Sequence, residues 1–134
     1  MSGIEYDWER FAEAWRNSGC VNSGQVGPKM EPSHEHLLCV EFTELHPYAA
    51  DFLFSKLSDT DPYLAAYAFK CLTRVSDDLQ MDDIPQSILQ RSDSIQTLWG
   101  CVVRTTTLGS FIRGYWGFED PEPEPPAPPP RYLP

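Results

Sequence analysis

His34, His36 and Cys39 stand within six residues of one another and offer two imidazole nitrogens and a thiolate, donor types that hold zinc. Their spacing follows no zinc pattern and no second ligand pair comes after it, so solvated or locally bonded imidazoles are the default reading. The run SDDLQMDDIPQ gathers Asp77, Asp78, Asp82 and Asp83, carboxylates that could bind a divalent ion or share acid-base work. The order of an EF-hand, with its Gly and terminal Glu, is absent. Asp83 and Pro85 instead stand where a helix start wants an anionic cap and a proline, serving a short helix to about Arg91. A metal-dependent enzyme using His34, His36, Cys39 or the Asp82/Asp83 cluster is therefore the alternative function.

Two further motifs fall short of chemistry. Thr105, Thr106 and Thr107 cluster hydroxyls, but no His or Lys stands near in sequence and no oxyanion motif accompanies them. GQVGPK has the glycines and the lysine of a phosphate loop without its order or a preceding strand. Cys20, Cys39, Cys71 and Cys101 form no CxxC pair and read as reduced thiols, although an even count leaves two disulfides open.

The 134 residues suit one domain, and 41% hydrophobic residues are enough to build its core. A net charge of -10 argues against unaided binding to nucleic acid or to an anionic membrane, both of which need clustered Lys and Arg. It permits a basic protein partner. No apolar run approaches the roughly twenty residues of a membrane span. The acidic start MSGIEYDWER lacks the basic-then-apolar order of a secretory signal, so a cytoplasmic location is expected.

Helical spacing dominates the elements that must position these groups. Trp8, Phe11, Ala12 and Trp15 share one face of a helix from Ile4 to Asn17, closed by Ser18 and Gly19. Residues 19–33 hold Gly19, Gly24, Gly27, Pro28 and Pro32 without periodicity and read as a long loop. Ser33 caps a helix to about Leu45 with an imperfect stripe of Leu37, Leu38, Val40, Glu41 and Phe42, a short strand over LLCVEF being the competitor. His46 and Pro47 make a corner.

Ala49, Phe52, Leu53 and Leu57 line a helix that stops at SDTD. Asp61 then caps a second helix, Pro62 fits its first turn, and Leu64, Ala68, Cys71, Leu72 and Val75 form its stripe, with Lys70, Thr73 and Arg74 toward solvent or the edge. The run LSDTDPYLAAYAFKCL resembles a HEAT repeat: an apolar first helix, a short Asp and Pro turn, and a second helix with small residues and a late Leu. The resemblance covers about Ala49 to Val75 and implies a stack of antiparallel helical hairpins with a protein-binding role. Ala65 departs from the family's pattern, in which Arg often stands, and this places the polar bracing between repeats in question. An ordinary helical hairpin in an unrelated bundle is the alternative.

The stretch from Ile95 to Thr106 is ambiguous. Ile95, Leu98, Trp99, Val102 and Val103 fit a helix, whereas the β-branched run and Gly100 favour extended chain. The helical remainder tips the reading to helix. Thr107 then caps a final helix with Leu108, Phe111, Ile112 and Tyr115 inward.

Eight of the thirteen prolines fall in PEPEPPAPPPRYLP, which reads as extended polyproline II outside the domain. Pro126, Pro129 and Arg131 match PxxPxR, and Pro129, Pro130 and Tyr132 match PPxY, the spacings read by SH3 and WW modules. A solvated tail, or one folded back on an aromatic patch, is the simpler reading.

The sequence thus predicts an all-α, HEAT-like domain over residues 1–118 and a proline-rich tail over 119–134. Its function is expected to be a non-catalytic cytosolic protein-interaction module without a cofactor, with an acidic inhibitor or immunity-type protein as the narrower form. Pro126, Pro129, Arg131 and Tyr132 are the candidate binding residues.

Overall fold

The computed structural model describes residues 3–26, 31–100 and 102–117. The architecture is mainly helical, as predicted, with a small sheet that the all-α expectation omitted. Helices α1 (Gly3–Asn17), α2 (His34–Leu45), α3 (Ala50–Lys56) and α4 (Pro62–Val75) form the body, and the short α5 (Gln86–Leu89) and α6 (Leu108–Gly114) close one end. Four strands complete it: β1 (Val21–Val26), β2 (Glu31–Pro32), β3 (Ser94–Gly100) and β4 (Val102–Thr107).

Predicted caps account for several boundaries. The Ser33 side chain accepts from His36 N at 3.1 Å, and Asp61 Oδ1 accepts from Tyr63 N at 2.9 Å with Pro62 in the first turn. Thr107 Oγ1 accepts from Ser110 N at 3.1 Å and starts α6. The apolar stripe of α1 is buried in full, with Trp8 and Trp15 at 5.0 Å between ring centroids and Trp8 edge-on to Phe42 and Phe52.

Other positions differ from the spacing argument. Leu37 and Tyr115, expected inward, are 51% and 52% exposed, while Thr43 is buried because its hydroxyl bonds back to the carbonyls of Cys39 and Val40.

The sheet, in the order β2-β1-β3-β4, corrects two expectations. The region 19–33 contains two strands, and residues 95–100 and 102–106 are extended. In the latter the β-branched residues outweigh a weak helical period, because Ile95 is buried at 1% exposure while Val102, Val103, Arg104 and Thr105 stay in solvent. β1 runs parallel to β3, with Val21 opposite Thr97, and β3 pairs antiparallel with β4 from Ser94–Thr107 to Trp99–Val102. Two phenols one turn apart on α4 tie the strands to the helices. Tyr67 Oη donates to Cys20 O at 2.9 Å, and Tyr63 Oη accepts from Gln96 N at 3.0 Å.

α3 and α4 pack on each other across the SDTD turn, which Asp59 stiffens by accepting from Asp61 N at 2.8 Å. A residue further along the chain braces this turn. Arg91 donates to Leu57 O at 3.0 Å and Asp59 O at 2.7 Å, and a two-point pair with Asp93 holds its guanidinium in place. Gly109 permits α6 to dock on the end of α5. A Cβ there would lie 2.9 Å from the Leu89 carbonyl carbon and closer still to its oxygen.

Candidate functional site

The sequence-predicted metal donors do not come together. His34 is exposed at the start of α2, His36 is partly buried with its Nδ1 enclosed and without a hydrogen-bond partner, and Cys39 is fully buried. Among the described residues no three His, Cys, Asp or Glu side chains converge to hold an ion. Asp77, Asp78, Asp82 and Asp83 are exposed, and two of them serve local structure: Asp78 accepts from Ser76 Oγ, and Asp83 accepts from Gln80 N at 2.9 Å. Asp83 therefore caps a 3-10 turn (Met81–Asp83) one step before the helix it was expected to start. α5 begins after Pro85 without a side-chain cap.

The groups that do meet lie along the α2–α4 seam, where Glu35, His36, Cys39 and Thr43 look across to Tyr67, Lys70, Cys71 and Arg74. The Cys39 and Cys71 thiols share a hydrogen bond. Burial, then this bond and the charge of Cys39, push the Cys71 thiol well above its ordinary value, against the pull of Lys70 and Arg74. Burial pushes the Lys70 ammonium down, opposed by Cys39, Cys71 and Glu35, and its Nζ sits 5.4 Å from the Tyr67 ring centroid. Burial, aided by Lys70 and Arg74, also holds the His36 imidazole below its usual range. Arg74 Nε donates to Thr43 Oγ1 at 3.2 Å. A protonated thiol is a poor nucleophile, so this arrangement favours packing over attack.

A surface of another kind forms where α1 meets the corner after α2. Asp7 Oδ2 lies 2.7 Å from His46 Nε2, and Arg10 lies 3.5 Å from the other Asp7 oxygen. His46 leans on Phe42 at 5.1 Å between ring centroids, which fixes the corner to the aromatic core. Tyr6 precedes this pair, and Leu45 and Tyr48 flank it. They are 63%, 51% and 97% exposed. Glu5, Glu9, Glu44 and Asp51 on the same three helices are exposed as well. A shallow groove of about 330 Å³ runs between α1 and α3, lined by Glu5, Tyr6, Glu9 and Lys56.

Tyr6, Leu45 and Tyr48 were not singled out from the sequence. For Tyr6 and Tyr48 the available signal is a position off every apolar stripe, since Tyr6 is out of phase with Trp8 and Phe11 and Tyr48 follows the corner proline, whereas Leu45 is in step with Leu38 and Phe42 and carries no such signal. The tail residues Pro126, Pro129, Arg131 and Tyr132 lie outside the described residues. Among those described, no helix is long and apolar enough to cross a membrane. Comparison with protein-family models, with curated proteins and with solved structures finds no match.

Proposed function

We propose that this chain is a non-catalytic docking module whose α1, α2 and α3 surface receives a basic protein. The reading rests on Tyr48, 97% exposed beside a corner that the Asp7–His46 pair and Phe42 hold in place, with Glu44 and Asp51 exposed close to it in the chain and Glu5 and Glu9 exposed on α1, the helix that carries Asp7. Tyrosines on a rigid support supply large contact area at little entropic cost, and surrounding carboxylates speed encounter with a cationic partner. An acidic inhibitor or immunity-type protein is the narrower form of this role. The α3–α4 hairpin with its braced Asp and Pro turn supports a HEAT-like unit. The free thiols of Cys20, Cys39 and Cys71 suit a reducing cytoplasm.

The test is recovery of partners from the source cells with full-length protein. The wild type should retain a basic protein at low salt and release it as salt rises. Tyr48→Ala and Glu44→Lys should each lose it, while a fourfold tail variant (Pro126→Ala, Pro129→Ala, Arg131→Ala, Tyr132→Ala) should keep it. A partner lost only in the tail variant would move the function to the proline-rich segment.

A further inference from the structure

The two edges of the sheet are built differently. β2, at one edge, is two residues long and consists of Glu31 and Pro32, so it brings a charge and lacks one N–H. Shortness, charge and proline are the usual means of keeping a sheet from pairing further. β4, at the other edge, runs for six residues as Val102, Val103, Arg104, Thr105, Thr106 and Thr107, five of them β-branched. Among the described residues it pairs with β3 alone, and Val102 and Val103 are 53% and 56% exposed.

We infer that β4 pairs antiparallel with β4 of a second copy of this chain, joining two four-stranded sheets into one. Charge selects this occupant. The chain carries -10, so most surfaces of two copies repel each other, yet residues 94–117 contain Arg104 and Arg113 and no Asp or Glu. β4 is thus an edge at which two acidic molecules meet without opposing carboxylates. A two-fold axis through an antiparallel strand pair sets one residue opposite its own copy. At Arg104 this would oppose like charges, so the axis falls at Val103 or Thr105, and either choice places each Arg104 across from an uncharged neighbour. A single strand pair is at the small end of protein interfaces, and weak association, on the order of 10 μM, is the range to search. It uses elements other than the proposed docking surface and does not depend on that reading.

Sedimentation equilibrium of the full chain across that concentration range tests the proposal. The expected result is a reversible monomer–dimer equilibrium that Val103→Lys combined with Thr105→Lys shifts to monomer, with the circular dichroism spectrum unchanged. Should the double variant misfold, hydrogen exchange on the wild type gives the same answer: β4 amides should gain protection as concentration rises, while β1 amides do not. A monomer at every concentration overturns the proposal and leaves β4 free for a strand of a different protein. A dimer that survives the double variant with its fold intact, or one formed without added β4 protection, overturns it too.

Discussion

Tyr67 lies flat against Trp15, with ring centroids 5.4 Å apart and planes 10° from parallel. The stacking joins α1 to α4, and the Tyr67 hydroxyl, donating to Cys20 O, carries the tie on to the start of β1. Tyr67→Phe keeps the stack and removes one of the two hydrogen bonds to that carbonyl, which Ser18 Oγ also reaches at 2.8 Å, a cost of about 1 kcal/mol. Tyr67→Ala removes both and costs about 3–5 kcal/mol. Urea denaturation of the two variants separates the bond from the packing.

Arg91 is expected to set the acid limit of the fold. Its hydrogen bond, the largest influence, and its charge hold the Asp93 carboxyl below the ordinary 3.8 despite an opposing desolvation effect. A carboxyl depressed in the folded state contributes stability above its unfolded value, and that contribution is lost as pH falls through the folded one. Wild-type stability should therefore decline below about pH 4, and Asp93→Asn should flatten this part of the profile. Arg91→Met, which also frees Leu57 O and Asp59 O, should cost about 2–3 kcal/mol at neutral pH.

His36 gives a linkage of the same sign at milder pH. Its folded value lies below the ordinary 6.5, through burial and then Lys70 and Arg74, so the neutral ring is favoured in the native state. The unfolded chain takes up the proton first, and stability falls as pH drops from about 6.5 toward the folded value. His36→Gln removes that slope. Thermal melts between pH 7.5 and 5 check it, and a slope that persists in the variant would assign the effect elsewhere.

Gly109→Ala should be among the most damaging small substitutions, since the added methyl meets the Leu89 carbonyl and Arg91 O lies at 3.0 Å. Overpacking of this kind costs about 1–3 kcal/mol. The expected readout is a lowered urea midpoint with unchanged slope.

Cys39 and Cys71 should resist alkylation in the native protein. Both are fully buried, and the Cys71 thiol is held protonated. Their labelling should track unfolding in urea, whereas Cys20, partly exposed with its thiol raised by burial and Glu35, reacts earlier.

The helical body was legible because its signals are local. The tryptophan face of α1, the Ser33, Asp61 and Thr107 caps and the Pro62 start depend on residues within a turn of each other, and the structure retains them. The sheet was not legible for a matching reason. β1 has a polar, glycine-bearing sequence, VNSGQV, and becomes a strand through β3, about seventy residues away, and through the phenols of α4. The outlook of Tyr6, Leu45 and Tyr48 likewise depends on how α1 meets the α2 corner, a geometry no single segment encodes.

The parallel pairing of β1 with β3 also bears on synthesis. As the polypeptide leaves the ribosome, the hairpin of α3 and α4 can form from neighbours, but β1 must wait without its central companion until Ser94 to Gly100 emerge. Loop closure over that distance is slow. A nascent or prematurely ended product lacking the last third would leave an orphan strand beside a nearly finished helical body, the kind of species that chaperones are needed to shield.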